Sequence, residues 1–440
     1  MEVVAADSSR HEINPPSKQS SPEVLLMFDR REFLQSSLHG MAGIAASSSL
    51  LLNVGFSAEK ETRDRPDTLF LTWRRDPTTT MVVQWIGPQQ ADDQVAVAYA
   101  PLDGEDWKTV APQAHEYPMT DLRVYRTELT GLVPGSEYRF RIGEGKPEHR
   151  FRTMPAKATD SFQFVSGGDV GGNKHAVASN ILAAKQDPMF ALIGGDLGYD
   201  NGESVENSLI FMRNYSRHMI DGQGRLIPLV VCIGNHEVSG GYNRPRSDAP
   251  FYFALHDGLY HEQSYATLDF GDYLSLMLLD TGHIAPIRGE QTDWLDKALA
   301  ERTERPHVIV ANHVPAYPSV RQFDGKMGKE IRKHWSPLFE KHNVDIVLEH
   351  HDHAFKRTHP LTDGMAHKHG LIYLGDGSWG RLKSPESPEK RNYLAAVDED
   401  YHITLHRIEG ERRFHLALSD AGKIVDICTT SKRPRRPRAK

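Results

Sequence analysis

The sequence has few cysteines, and neither sign of charge dominates it. Its two cysteines among 440 residues, Cys232 and Cys428, could form at most one bridge, so a disulfide framework and a cysteine-based zinc site are both excluded. The 52 lysines and arginines against 59 aspartates and glutamates give a net charge of −7, which argues against a nucleic-acid partner. With 39% hydrophobic residues, the composition is that of a soluble globular protein of two or three domains.

No apolar run in the N-terminal region is long enough to cross a membrane. The twin arginine at 30–31 and the apolar, small-residue stretch 41–54 resemble a twin-arginine export signal. This stretch is too short and too rich in serine to span about 30 Å of hydrocarbon. We therefore expect residues 1–58 to be an extension and signal, translation to begin at Met27, and the mature protein to be periplasmic or extracellular without a transmembrane domain. A membrane anchor and a buried helix are the alternatives.

The stretch 67–154 consists of short runs in which apolar and polar residues alternate, separated by proline, glycine and aspartate turns. Such a period of two is typical of β-strands. The segment 127–142 (TELTGLVPGSEYRFRI) resembles the late strands of fibronectin type III-like domains. We expect an all-β sandwich domain here and assign its aromatic and aliphatic residues to the core.

After residue 155, strand-like apolar runs alternate with helical patterns, which predicts an α/β domain over 160–428. The predicted strands are 162–165, 190–193, 229–233, 308–310 and 344–348, and the predicted helices are 175–186, 203–219, 291–302 and 329–342. We expect the basic tail 429–440 to be solvated, and we assign no function to the polar loop 382–390.

Side chains that can bind a metal follow each of the five predicted strands. They are Asp169, Asp196, Tyr199, Asn235, His313, His351 and His353. A single aspartate after a strand is more often a helix cap or a turn residue. Because ligands of open α/β sheets bind at the carboxyl ends of the strands, the ordered recurrence predicts two adjacent cation sites of mixed oxygen and nitrogen ligands.

The motifs at these strand ends resemble those of a known family. They are GGD at 167–169, GDLGY at 195–199, GNHE at 234–237, NHVPAY at 312–317 and HHDH at 350–353. Together they look like the metallophosphoesterases, and specifically the purple acid phosphatases. The resemblance implies a two-layer β-sandwich flanked by helices, preceded by a fibronectin-like domain, with a dinuclear metal centre at one edge.

The resemblance also implies a role for each residue. Asp169, Tyr199 and His353 would bind the first metal, Asp196 would bridge, and Asn235, His313 and His351 would bind the second. His236 would be the acid beside the leaving group. A phenol with an ordinary pKa of about 10 is a ligand only beside a strongly Lewis-acidic ion, so Tyr199 favours Fe(III) at the first site. Zinc, manganese or Fe(II) suits the second. Tyr199 in a core or lid and His236 in a structural role are the alternatives.

Three departures from the family pattern concern the substrate. Position 350 is His instead of Gly, with Glu349 before it, and Lys356 stands where the family has Glu. The usual histidine pair after the fourth motif is missing from 318–325. Arg321 is the nearest candidate there to meet a phosphate oxygen, although an arginine in such a loop is more often simply exposed. His350 either crowds the backbone or adds a group near the metals.

The sequence therefore favours an exported phosphohydrolase that cleaves phosphate monoesters with a metal-activated hydroxide. A phosphodiesterase or nucleotide pyrophosphatase on the same centre is the first alternative, because the ligand set does not choose between ester classes. A non-catalytic binding protein is the second, and the uncommitted His236 argues against it. The natural substrate and the oligomeric state stay open.

Overall fold

The computed structural model describes residues 66–91, 95–158 and 161–433. The predicted export signal within 1–58, and most of the predicted tail 429–440, lie outside these residues. No helix in the described ranges is long and apolar enough to cross a membrane. Both cysteines are buried free thiols.

The first part of the described chain is all-β, as the period-two pattern predicts. Its strands are β1 (Phe70–Thr72), β2 (Met81–Gly87), β3 (Val97–Pro101), β4 (Lys108–Val110), β5 (Gln113–Glu116), β6 (Arg123–Leu129), β7 (Glu137–Ile142) and β8 (His149–Arg152). They form two antiparallel sheets of order β1-β2-β6-β5 and β4-β3-β7-β8. In β7 the buried residues Tyr138, Phe140 and Ile142 alternate with half-buried ones, because successive side chains of a strand point to opposite faces.

The second part contains two mixed sheets. The strands are β9 (Phe162–Gly167), β10 (Ala191–Ile193), β11 (Leu229–Val231), β12 (Ala266–Phe270), β13 (Leu274–Leu279), β14 (His307–Asn312), β15 (Ile346–Glu349), β16 (Phe355–Thr358), β17 (Leu361–Thr362), β18 (Met365–Ala366), β19 (Tyr373–Asp376), β20 (Leu394–Asp398), β21 (His402–Glu409), β22 (Arg412–Ser419) and β23 (Ile424–Ser431). The sheet orders are β11-β10-β9-β21-β22-β23 and β12-β13-β14-β15-β19-β16-β20, and β17 and β18 form a separate hairpin.

Helices cover these sheets, in agreement with the predicted architecture. They are α1 (Lys174–Ala184), α2 (Val205–His218), α3 (Pro250–Tyr260), α4 (Glu290–Ala300), α5 (Lys326–His334) and α6 (Ser336–Lys341). The two sheets share a core in which the ring of Phe190 lies 4.7 Å from that of Phe164 and 5.1 Å from that of Phe270. A second core packs α5 and α6, through Ile331 and Trp335, with strand residues such as Val310. The molecule is therefore an α/β protein with two layers of sheet flanked by helices, preceded by an all-β region.

Some predicted boundaries differ from the observed ones for local reasons. The predicted helix 329–342 is two helices, α5 and α6, and the second has a proline in its first turn, where the missing amide costs no helical hydrogen bond. Helix α1 begins at Lys174 because the Asn173 side chain accepts from the amides of His175 and Ala176. Strand β23 continues to Ser431, three residues beyond the predicted domain end at 428.

Candidate metal centre

The metal-capable residues converge where the two sheets present the carboxyl ends of their parallel strands. Asp169 follows β9, Asp196 and Tyr199 follow β10, Asn235 follows β11, His313 follows β14, and His351 and His353 follow β15. Strands β9, β10 and β11 are parallel neighbours in one sheet, and β14 and β15 are parallel neighbours in the other. Parallel strands end at a common edge, and this brings residues as far apart in the sequence as Asp169 and His353 into one site.

One group of candidate ligands is centred on His313. Its Nε2 lies 3.3 Å from Asp196 Oδ1, 3.1 Å from Asn235 Oδ1 and 3.1 Å from His351 Nδ1. Its Nδ1 lies 2.9 Å from the carbonyl oxygen of Gly194. A neutral imidazole that donates from Nδ1 to this carbonyl keeps the Nε2 lone pair for a metal. The group therefore points its donor atoms at a common centre.

A second group is centred on Asp169. Its Oδ1 lies 3.0 Å from His353 Nε2, and the Tyr199 hydroxyl lies 3.4 Å from the same oxygen and 3.3 Å from the same nitrogen. Its Oδ2 accepts the backbone amide of His351 at 2.8 Å. Donor atoms of Asp169, Asp196, His313 and His351 all lie within 4.8 Å of one another, so the two groups are adjacent. The role of each residue as a ligand stays a prediction.

The donor set fits metal ions. Oδ2 of Asp196 is buried and has no hydrogen-bond partner among the described residues. A buried carboxylate oxygen without a partner is costly, and a cation would satisfy it. Carboxylate, amide and imidazole donors within one small space are also the ligand types that zinc, manganese and iron accept.

The charges of the site act strongly on one another. Burial by itself would raise the pKa of Asp196, but the neighbouring imidazoles, above all His313, bring it below the ordinary value. Burial likewise opposes protonation of His313, yet Asp196 raises the pKa of His313 to about 9. Burial, and then the Asp169 carboxylate, raise the pKa of the Tyr199 phenol above its ordinary value. A phenolate at position 199 therefore needs a strongly Lewis-acidic cation beside it.

The backbone of the site is strained. Positive φ angles occur at Asp169 (59°), Asp196 (55°), Tyr199 (60°), His351 (67°) and His353 (60°). Non-glycine residues rarely adopt this left-handed conformation, and such strain concentrates at functional sites. The backbone of the HHDH motif also lies very close to Gly377, where an added Cβ would lie 2.9 Å from the His351 amide nitrogen and 2.6 Å from Asp169 Oδ2. The turns that carry the candidate ligands therefore hold their conformation in spite of local backbone strain.

His236 lies at the open face of the centre, beside the candidate ligands. Its backbone amide donates to Asp196 Oδ1 at 2.8 Å, and its Nε2 lies 4.0 Å from Asp196 Oδ2. Its Nδ1 lies 2.6 Å from Asn201 Oδ1, and its side chain is 37% exposed. Burial lowers the pKa of this imidazole. The contact with Asn201 thus fixes the orientation of the His236 ring, and Nε2 is directed toward the centre.

Two carboxylates that position this site were not singled out by the sequence. Glu237 accepts the backbone amides of Gly234, Asp196 and Leu197 at 2.6–2.8 Å. Asp352 accepts the amides of three consecutive residues, 319–321, and so holds that segment against the HHDH motif. Both lie within recognised motifs, next to candidate ligands, and this adjacency was the only available signal.

The departures from the family pattern have local explanations. The His350 ring fills space left by glycines: a Cβ on Gly194 would lie 1.9 Å from the ring. His350 Nδ1 lies 3.0 Å from the Asn312 carbonyl oxygen. Glu349 and Lys356 form a buried ion pair, so these two departures compensate each other. Together they hold residues 316–317, since Lys356 donates to one carbonyl and Glu349 accepts one amide there.

Arg321 is half-buried beside the centre, not a freely exposed loop residue. Its guanidinium donates to the backbone carbonyl of His351 at 3.2 Å, and its own amide donates to Asp352 at 3.1 Å. The side chain is therefore attached to the backbone of a candidate ligand.

Comparison with known families agrees with this fold. Residues 66–153 match the family described as Purple acid Phosphatase, N-terminal domain, and residues 165–355 match Calcineurin-like phosphoesterase. The chain therefore contains a metallophosphoesterase domain, preceded by an all-β region similar to the N-terminal domain of purple acid phosphatases.

Individual relatives are distant. Purple acid phosphatase 21 of Arabidopsis thaliana is 25% identical over 60% of this chain and 62% of its own length. Acid phosphatase type 7 of Homo sapiens is 25% identical over 69% of this chain and 76% of its own length. The chain thus spans somewhat less than two thirds of the first of these relatives.

Two solved structures share the fold. The purple acid phosphatase PPD1 from yellow lupin (Lupinus luteus) seeds has a TM-score of 0.70 at 18% identity, over 84% of this chain and 74% of that one. PhoD has a TM-score of 0.59 at 14% identity, over 84% of this chain and 91% of that one. At these identities, the likeness concerns the fold alone.

Proposed function

We propose that the protein hydrolyses phosphate monoesters at a dinuclear metal centre. The residues that would hold the two ions are Asp169, Tyr199 and His353 at the first, Asn235, His313 and His351 at the second, and Asp196 between them. The observation that carries the proposal is the convergence of donor atoms within 4.8 Å of one another, together with a buried Asp196 oxygen that has no hydrogen-bond partner among the described residues. The calcineurin-like phosphoesterase match over residues 165–355 supports it.

The two ions would supply Lewis acidity, hold the phosphoryl group and lower the pKa of a water molecule. The protein residues would position this chemistry. Gly194 and Asn201 fix two of the imidazoles through their Nδ1 atoms. His236, with Nε2 near the centre, would deliver a proton to the leaving oxygen. Arg321 would donate to a non-bridging phosphoryl oxygen.

We further propose Fe(III) at the first site and a divalent zinc, manganese or iron at the second. The raised pKa of Tyr199 supports this division, because a phenolate there requires the more acidic ion. Metal analysis of the isolated protein tests it. Tyr199→Phe should lower the iron content and leave the divalent content largely unchanged. Equal loss of both metals, or no iron in the wild type, contradicts the assignment.

Export through the predicted signal within 1–58, with the mature protein in the periplasm or outside the cell, also stays a proposal. Fusion of residues 1–58 to a reporter that functions only after export tests it. Replacement of the arginines at 30–31 by lysines should abolish reporter activity. A reporter that remains active after this replacement, or is inactive with the native sequence, contradicts the proposal.

The central experiment compares an aryl phosphate monoester with the matching diester. Both esters are tested with the metal-replete wild type and with the variant Asp196→Asn. The variant Asp324→Asn is the control, because Asp324 is an exposed carboxylate of the nearby 318–325 loop. Preferential hydrolysis of the monoester that is lost only in Asp196→Asn supports the proposal. Preferential hydrolysis of the diester makes the ester class wrong. Bound metal without hydrolysis of either favours a binding protein.

A further inference from the structure

Two cationic side chains beside the metal centre lack an anionic partner in the part of the chain that the structure describes. The guanidinium carbon of Arg381 lies 4.0 Å from the centroid of the Tyr199 ring, and its buried Nε has no hydrogen-bond partner there. Lys383 is exposed, and within the same ranges only its backbone amide forms a hydrogen bond. By contrast, Arg302 and Arg357 each pair with an aspartate at 2.7 Å.

The segment that carries these cations is tied to the centre. The Lys383 amide donates to the carbonyl of the candidate ligand His353 at 2.8 Å. Further along, the Glu386 amide donates to the Ser319 carbonyl at 2.8 Å, and Arg391 Nη1 donates to the Arg321 carbonyl at 2.7 Å. The polar loop therefore lies against the segment that carries Arg321, and the two form one wall of the site.

Three cations are thus each attached to a different candidate ligand. Arg321 contacts the His351 carbonyl, Arg381 lies over the Tyr199 ring, and Lys383 is bound through its backbone to His353. Burial, and next the charge of Arg321, lower the pKa of Lys383, whereas Asp169 and Asp352 raise it. Like charges gathered at the mouth of a cleft attract an anionic ligand.

We propose that Arg321, Arg381 and Lys383 form a cationic rim that holds both anionic groups of a doubly anionic substrate, the reacting phosphoryl group and a second group on the alcohol. The preferred substrates are then phosphate monoesters whose alcohol part carries a further phosphoryl group or a carboxylate. The inference rests on the proposed function, since the first phosphoryl group occupies the metal centre. The half-buried Arg321 is placed to reach this first group, and the exposed Lys383 to reach the second.

The chemistry of each cation fits this division. A guanidinium can donate two parallel hydrogen bonds to one phosphoryl or carboxylate group, whereas a lysine ammonium is a compact charge on a flexible stem. Lys383 can therefore follow anionic groups at different positions on the leaving alcohol. We expect the rim to select for charge more than for the exact shape of the alcohol.

The test uses phenyl phosphate and 3-carboxyphenyl phosphate, which differ by one carboxylate and have similar leaving groups. We expect kcat/KM of the metal-replete wild type to be about tenfold higher for the carboxylated ester, mainly through KM, as for one charged contact at a partly shielded site. Lys383→Gln should reduce this ratio to about twofold. Lys390→Gln is the matched control, because this lysine belongs to the same loop but pairs with Glu386 at 2.8 Å, and it should keep the ratio.

Equilibrium binding separates the rim from the catalytic proposal. The non-hydrolysable analogues phenylphosphonate and 3-carboxyphenylphosphonate are titrated into the same metal-replete proteins. Tighter binding of the carboxylated analogue to the wild type but not to Lys383→Gln supports the rim. Equal binding of the two analogues by the wild type, or a preference that survives in both Lys383→Gln and Arg381→Gln, overturns it. Absence of hydrolysis of either ester overturns the proposed function and leaves the binding result to decide the rim.

Discussion

The floor and the rim of the site are built differently. The floor, defined by the seven candidate ligands, lies at strand ends, and Asp169, Asp196 and His313 are completely buried. The cationic rim lies on segments without regular structure, and its side chains are half-buried or exposed. The sheets fix the floor, whereas the rim depends on hydrogen bonds that loop amides donate to Asp352 and to backbone carbonyls. Under the proposed function, the floor would carry out the reaction and the rim would select the substrate.

The largest expected effect separates the floor from the rim directly. Asp169→Asn removes a charge that faces His353 and the His351 amide, and we expect kcat to fall about a thousandfold. Arg321→Gln should instead raise KM about tenfold, because one charged hydrogen bond to the substrate is lost. Steady-state kinetics with metal analysis checks both. Loss of kcat of similar size in the two variants would contradict the division.

The next effect concerns the buried ion pair of Glu349 and Lys356, which holds residues 316–317, just before the segment that carries Arg321. Lys356→Met leaves Glu349 buried without its partner, and we expect the free energy of unfolding to fall by about 3 kcal/mol, as for other broken buried pairs. Chemical denaturation measures it. The double variant Glu349→Gln, Lys356→Met should regain part of the loss. A single variant that costs less than about 1 kcal/mol would show that the pair is solvated.

The affinity for metal should depend on pH through the protonation of His313, a residue of the floor, and not through the cations of the rim. In the metal-free protein the pKa of His313 is raised to about 9, above about 6.5 in an unfolded chain. Its contribution to stability is therefore complete below pH 6.5 and is lost as the pH rises to 9. Since a ligand histidine must be neutral, metal binding has to displace this proton below pH 9. Metal affinity should then rise up to about tenfold per pH unit over this window.

Calorimetry in two buffers with different ionisation enthalpies measures the released proton. At pH 7.5 we expect about one proton per His313 site, since most of this imidazole is protonated before the metal binds. Lys383→Gln is the control from the rim and should release the same number. A metal affinity independent of pH between 7 and 9 would show that His313 is neutral before the metal binds.

The sequence predicts the floor better than the rim because the two are encoded differently. Each candidate ligand stands in the turn or loop that follows a strand, so a local pattern predicts its position at the sheet edge. Arg381 and Lys383 reach the centre only because the polar loop 382–390 folds back onto residues 319–321. No local sequence pattern predicts this contact. Helix α3, which begins with a proline and has only buried and half-buried residues, is not predicted from the sequence because it lacks a polar face.

The smallest effects concern Asp352 and Glu237, two carboxylates that each accept backbone amides but in different parts of the site. Asp352 accepts three amides at 319–321 beneath the rim, and Glu237 accepts three amides beneath the floor. In Asp352→Asn the NH2 group of the new amide cannot accept, so the rim segment loosens, and we expect KM for a carboxylated ester to rise about threefold at unchanged metal content.

Glu237→Gln is the matched comparison for this last prediction, because it makes the same chemical change beneath the ligands. It should weaken metal binding about tenfold, the low end for residues that orient ligands, and leave the preference for carboxylated esters intact. Metal titration and the ratio of kcat/KM for the two esters are measured on both variants. If Asp352→Asn released metal as readily as Glu237→Gln, loop 319–321 would belong to the floor, because a segment that only binds substrate cannot alter metal affinity in the absence of substrate.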